Sequence, residues 1–408
     1  MKKYILIILC CLTSFPLWSY NVNMIVEHYS VDQGLPNNTV NCTLKDRDGF
    51  IWFGTWYGLC CFDGVKFKTF NKQEHDSDVP PRKIQRIVED KNGYIWVKTI
   101  DRKLYVFNKV TECFHAVYDD MKNYSENIQV IKLQNTAEGD VLLLTKDKNL
   151  LLAGVDEKGQ VTIKILFDSR DEINKHDYTL KHHVLCETEE YISWIGTDYK
   201  VSAVHKGAEL ASRPADFITS KINSGDKDSF TSFFEDGRKV WVGDRAGIFY
   251  SIDVRTGLVN RYVLSEIKGA ISNLLVTPAG YVYLSVAGQG TYEYDLAERR
   301  LQKINTEMND AMVTHAFIDQ YDKIWFHENE KALIYYDPLN HTAKRFPFTM
   351  FGKITTLYSE DAGERGLFFL SPAGEAWLFD REHAEMVYIN KVGSINSIFY
   401  FLHKAAEP

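Results

Sequence analysis

At 408 residues the chain is long enough for one large all-β domain or two medium ones. Its 47 Lys and Arg against 55 Asp and Glu give a formal net charge of −8, which argues against a nucleic-acid partner, since phosphate binding needs a basic surface. Aromatic residues make up 13% and prolines number only 10, so the chain can build a large core and is not a disordered linker.

Residues 1–20 read as a cleavable export signal. Lys2 and Lys3 precede an apolar run, Tyr4 to Leu12, that is too short to span a bilayer comfortably. Its removal takes the net charge from −8 to −10 and places the rest of the protein in the periplasm. No later apolar run is long enough for a membrane span. Cys42, Cys60, Cys61, Cys113 and Cys186 remain, an odd number without CxxC spacing, and read as small buried apolar side chains. Neighbouring Cys60 and Cys61 should point to opposite faces of a strand. No metal site is expected, because His182 and His183 stand alone and diverge.

A strand is expected at Ile25 to Val31. The stretch from Gly34 to Phe70 then reads as four short strands, Val40 to Leu44, Phe50 to Thr55, Leu59 to Phe62 and Lys66 to Phe70. Asp46-Arg47-Asp48-Gly49 and Asp63-Gly64 supply turns, and Gly58 opens the third strand. The pattern returns from Ile84, Ile128, His183, Phe230, Ile271, Val313 and Ile354, at spacings of roughly 41 to 55 residues that suit a four-stranded propeller blade. Trp52, Trp96, Trp194, Trp241 and Trp325 all fall on the second strand and read as core between blades. Gly49, Gly93 and Gly280 sit in the turn before it.

The string GLPNNTVNCTLKDRDGFIWFGTWYGLCCFDGVKFKTF resembles the propeller repeat of two-component regulators. More narrowly, it is similar to the first repeat of the periplasmic sensor of hybrid histidine kinases that control polysaccharide use. The resemblance rests on Gly34-Leu35-Pro36, Trp52-Phe53-Gly54-Thr55 and Gly58-Leu59. It implies a sensor without enzymatic activity of its own, an oligosaccharide ligand, and homodimeric full-length relatives. Those relatives carry a second propeller, a membrane helix, a kinase core and a DNA-binding domain, so the chain reads as a truncated sensor.

The expected architecture is an all-β propeller with seven four-stranded blades over residues 21–337, followed by an eighth repeat over 338–408 that starts a second propeller. Ile25 to Val31 would pair with Leu333 to Tyr336 and close the ring. A single eight-bladed ring is the alternative. A propeller glycosidase or lyase is disfavoured: an Asp box wants aspartate two residues before glycine, where Arg47 and Lys91 stand, and no carboxylate pair is identifiable. A stand-alone protein-interaction propeller is the other alternative. No catalytic residue and no cofactor is expected.

Propellers bind ligands where loops entering the first strand and joining the second to the third meet at the channel mouth. Those loops hold Asn37, Asn38, Trp56, Tyr57, Arg102, Tyr199, Arg245 and Gln289. Aromatic rings stack on sugar faces, and Arg, Asn and Gln bond hydroxyls or carboxylates. The two arginines favour an anionic oligosaccharide.

Overall fold

A computed structural model describes residues 29–70, 72–73, 80–121, 129–146, 149–167, 185–195, 200–207, 217–221, 230–304, 313–328, 331–351, 358–361, 366–371 and 373–391. The expected export signal lies outside them. The described residues form eight antiparallel four-stranded sheets, each built from consecutive strands in sequence order. Blade 1 is Val40–Lys45, Ile51–Thr55, Gly58–Phe62 and Phe67–Phe70. Blade 2 is Ile84–Glu89, Ile95–Thr99, Leu104–Asn108 and Cys113–Ala116, and blade 3 Val130–Asn135, Val141–Thr145, Leu150–Val155 and Val161–Phe167. Blade 4 is Leu185–Glu187, Tyr191–Ile195, Lys200–His205 and Phe217–Lys221; blade 5 is Phe230–Glu235, Lys239–Asp244, Ile248–Asp253 and Leu258–Val263. Blade 6 is Ile271–Val276, Tyr281–Val286, Gly290–Asp295 and Arg300–Lys303. Blade 7 is Val313–Ile318, Ile324–Glu328, Ala332–Asp337 and Thr342–Pro347, and blade 8 Tyr358–Asp361, Leu367–Leu370, Glu375–Asp380 and Glu385–Lys391. The all-β propeller fold is as expected. Lys72–Gln73 adds a short parallel strand outside Cys113–Ala116, which the alternation of side chains did not reveal.

A blade has two apolar faces, and consecutive blades pack these faces against one another. Trp52 stacks on Phe70 in its own sheet and meets Phe107 of blade 2 edge-on, with centroids 5.5 Å apart. Trp325 of blade 7 meets Phe379 and Phe369 of blade 8 at 4.6 and 5.3 Å. The first strands of blades 1, 2 and 3, and those of blades 5, 6 and 7, lie side by side. In blades 1, 2, 3, 5, 6 and 7 the first strand carries a β-bulge at the same place, its second residue. A bulge turns its side chain out of the ladder. Asn41 Nδ2 thereby donates to the Ile84 carbonyl at 2.8 Å, and Thr231 Oγ1 to the Ile271 carbonyl at 2.6 Å, so a bulge of one blade pins the first strand of the next.

The repeat's Trp-x-Gly has a steric reason. A Cβ on Gly54 would lie 2.5 Å from Cγ2 of Ile84 in the next blade and 2.5 Å from Cys42 Sγ. Gly243 stands in the same relation to Ile271, at 2.7 Å. Gly54→Ala is therefore expected to cost about 1–3 kcal/mol by overpacking, read as a lower urea midpoint at unchanged slope.

Three sequence expectations meet the structure here. Cys42, Cys60, Cys61 and Cys113 are buried free thiols, with Cys61 packed toward blade 2 and Cys60 on the opposite face beside Leu35 and Val40. Burial pushes the thiols of Cys42, Cys60 and Cys61 up to about 12, so they are inert apolar fillers. The pairing of Ile25 to Val31 with Leu333 to Tyr336 is corrected. Both edges of Ala332–Asp337 are occupied, by Ile324–Glu328 and by blade 7's own fourth strand, Thr342–Pro347. Residues 25–28 lie outside the described residues, Val31–Gln33 is a 3-10 turn capped by Ser30, and Tyr29 packs on Phe62 and Phe67 of blade 1. Finally, the eighth repeat forms a full four-stranded sheet stacked on blade 7.

Candidate functional site

The two ends of the blades are built differently. At one end lies the turn between the first and second strands. Asp46 Oδ1 accepts from the N–H groups of Asp48 and Phe50, and its Oδ2 accepts from Trp52 Nε1 at 2.8 Å. The same knot recurs as Asp90 with Trp96 at 2.9 Å, Asp236 with Trp241 at 2.7 Å and Asp319 with Trp325 at 3.3 Å. In blades 3 and 6, where Leu142 and Tyr283 replace tryptophan, the turn residue is Thr136 or Thr277, which bonds the backbone alone. In blades 1, 2, 5 and 7 the aspartate satisfies an indole N–H.

This end also carries the charge that joins blades. Lys109, just after the third strand of blade 2, reaches back to Asp46, Asp48 and Glu89 at 2.8, 3.1 and 2.6 Å. From the equivalent position of blade 4, Lys206 reaches Glu138 and Glu187 at 2.8 and 2.6 Å. In blade 8, Arg381 reaches Asp319 of blade 7 at 3.8 Å and covers the Tyr321 ring. The oxygens of Asp46, Asp48 and Glu89 lie within 4.8 Å of one another, a spacing that could hold a cation, and the Lys109 ammonium sits among them. Burial works to raise the Asp46 carboxyl, but hydrogen bonds from Lys109 and Trp52 outweigh it and hold the group below its ordinary value. Its contribution to stability is thus present above the ordinary carboxylate range and lost as pH falls through the lowered value. Lys109→Met leaves burial opposed by fewer bonds, so the Asp46 carboxyl is expected to rise. We expect a loss of about 2–3 kcal/mol at pH 7 that narrows toward pH 4, measured by urea unfolding across pH.

The other end presents the loops in which sequence reasoning placed the ligand. Trp56 and Tyr57 form the turn after the second strand of blade 1 and are 37% and 65% exposed. Lys83, entering blade 2, donates its N–H to the Trp56 carbonyl at 2.9 Å and lays its ammonium 5.2 Å from the Trp56 ring centroid. The Lys83 carbonyl accepts from Ile100, and the Arg102 carbonyl from Val130 of blade 3, at 2.9 and 3.0 Å. Arg102 itself adopts φ +67°, with Nη1 3.4 Å from Gln129 Oε1. These bonds stitch Trp56, Tyr57, Lys83, Arg102 and Gln129 into one continuous edge.

The remaining expected site residues divide. Asn38 and Asn37 use their side-chain oxygens on the N–H groups of Val31 and Thr39, and so brace the chain entering blade 1. Gln289 clamps the loop entering blade 6, accepting from Lys268 N–H at 2.8 Å and donating to the Glu266 carbonyl at 3.2 Å. Arg245 is exposed in the corresponding turn of blade 5, which lies against that same loop through Gly247 and Ile267. Tyr199 lies outside the described residues. Sequence reasoning missed Lys83, Gln129 and the buried Lys98. For Lys98 the signal was present, since Trp96-Val97-Lys98 replaces the Trp52-Phe53-Gly54 of blade 1.

Among the described residues no helix is long and apolar enough to cross a membrane. No curated protein sequence matches the chain. It is similar, at 13% identity and a TM-score of 0.34, to the extracellular domain of a putative one component system from B. thetaiotaomicron, over 90% of this chain and 62% of that one. A putative hybrid two component system from the same organism is similar at 15% identity and a TM-score of 0.38, over 88% and 54%. Virginiamycin B lyase from Staphylococcus aureus is similar at 11% and 0.40, over 74% and 94%. The chain thus spans less than two thirds of both B. thetaiotaomicron domains. Residues 34–57, a span that holds Trp52, Gly54 and the Trp56-Tyr57 turn, match the family model described as two component regulator propeller.

Proposed function

We propose that the chain is the periplasmic ligand-binding propeller of a two-component sensor, and that it takes an oligosaccharide on the edge formed by Trp56, Tyr57, Lys83 and Arg102. The observation that carries this is a pair of aromatic rings exposed beside cations on a framework whose other large aromatics are mostly buried. Sugar rings stack on such faces, and neighbouring charged donors fix their hydroxyls. Arg245 belongs to the proposal as a second contact. Asn38 and Gln289 support loops in it and do not touch ligand. Turnover is not part of the reading. Asp46, Asp90, Asp236 and Asp319 are committed to turns and indoles, and Glu293 accepts from the buried hydroxyls of Tyr283 and Tyr336.

The ring is proposed to close with eight blades. Blade 8 follows blade 7 with the same aromatic contact and the same cation-to-aspartate contact by which blade 2 follows blade 1, which supports one continuous ring over closure after Asp337.

Calorimetric titration of a glycan panel tests the ligand. At least one oligosaccharide is expected to bind, about tenfold or more weakly to Trp56→Ala and more weakly to Arg245→Ala. Binding that Trp56→Ala leaves unchanged places the site elsewhere, and failure of every oligosaccharide to bind overturns the reading.

A further inference from the structure

Lys98 holds the position that Gly54 and Gly243 hold in blades 1 and 5, two residues beyond the tryptophan and directed at the next blade. Its residue is only 5% exposed. Its cross-strand partners are Arg86 on one side and Leu104 on the other. Leu104 belongs to the core shared with Val130 of blade 3, so the stem of Lys98 lies in the seam between blades 2 and 3. The ammonium donates to Gln85 Oε1, on the bulge of its own first strand. An ammonium has three donors, and a single neutral amide leaves its charge uncompensated.

The surroundings deepen the imbalance. Arg86 is exposed directly opposite, Arg102 is close enough to act on Lys98 electrostatically, and Lys83 stands at the entry to the same strand. Among the described residues no carboxylate lies within ion-pair distance of Lys83, Arg86, Lys98 or Arg102. The nearest acid in sequence, Asp101, accepts from Thr99 and faces Lys103 at 3.6 Å. Four cations therefore gather on one blade of a protein with net charge −8.

We propose that Lys98, Arg86 and Arg102 form an anion subsite that receives an acidic group of the ligand, either the carboxylate of a uronic acid or a sulfate ester. The subsite rests on the oligosaccharide reading and gives it a chemical class. Trp56 and Lys83 hold a sugar face, while the adjoining seam selects the charged substituent. Burial, and then Arg102, push the Lys98 ammonium down from its ordinary value, and an anion in the seam opposes both effects. Arginine adds bidentate geometry, which carboxylate and sulfate both satisfy.

The test is calorimetry on the whole chain with three tetrasaccharides, an oligogalacturonate, a sulfated galactan and a neutral galactan, and with inorganic sulfate at constant ionic strength. One acidic tetrasaccharide is expected to bind about tenfold or more tightly than the neutral one, and which of the two does so distinguishes carboxylate from sulfate. Lys98→Met should erase that preference while melting no lower than the parent, since an apolar stem replaces an uncompensated charge. Arg102→Gln, at an exposed position, should weaken the acidic ligand alone and serves if Lys98→Met does not fold. Neutral and acidic sugars binding alike, or a preference that survives Lys98→Met and Arg102→Gln, overturns the subsite and leaves the oligosaccharide reading standing. Inorganic sulfate binding that Lys98→Met abolishes, with no sugar bound, keeps the subsite and removes that reading. No binding of either acidic sugar or of sulfate overturns the subsite outright.

Discussion

Asp46→Ala is expected to destabilise the protein by about 3–5 kcal/mol, more than any other single polar substitution among the described turns. The carboxylate is buried and does three things at once. It closes the turn through two backbone N–H groups, satisfies the indole of Trp52 inside the core, and faces Lys109 of blade 2. Alanine leaves the indole N–H unpaired and removes a link between blades. Thr136→Ala makes the comparison, because its hydroxyl bonds only the backbone of its own turn and Leu142 presents no donor. It should cost about 1 kcal/mol. Urea unfolding of both variants, with Asp46→Ala repeated in a Trp52→Phe background, gives the indole's share as the coupling energy. Equal losses for Asp46→Ala and Thr136→Ala would mean the turn, and not the indole, is what the aspartate serves.

Ending the chain after Phe351 is the second large effect. Trp325, Phe346, Phe348 and Phe351 are buried in the core that blade 7 shares with blade 8. Uncovering them at roughly 1.5–3 kcal/mol per side chain costs on the order of 6 kcal/mol or more, before Asp319 loses Arg381. The shortened chain is expected to melt far below the whole chain or to aggregate through the exposed face. Unchanged melting would mean the ring closes after seven blades and the eighth sheet is a separate body.

Much of this fold was legible because a blade writes its turns and its core at fixed offsets. Asp46 to Gly49, Trp52 and Gly58 mark the ends and the buried face of three strands, and later copies repeat them. Closure was less legible. Ile25 to Val31 alternates like a strand, but Thr342–Pro347 supplies the edge it was meant to fill, and a charged run such as Thr342-Ala343-Lys344-Arg345 hardly reads as a strand. The candidate site was half visible. Trp56 and Tyr57 stand out as aromatics in a turn, whereas Asn38 and Gln289 look equally suited to ligand until their backbone partners are known. Lys98 is plain in the alignment of repeats, yet its meaning depends on the contact between Gly54 and Ile84, which lies between blades and leaves no local pattern.

Hydrogen exchange of the whole chain, with and without the tightest oligosaccharide of the panel, tests the central claim most directly. Bound ligand is expected to slow exchange at Trp56 and Tyr57, at Arg82 to Arg86 and at Thr99 to Lys103, with the opposite end at Asp46 to Gly49 and Asp90 to Gly93 unchanged. Protection confined to those aspartate turns, or spread evenly over all blades, would contradict the placement of the ligand on the edge that Trp56 and Arg102 share.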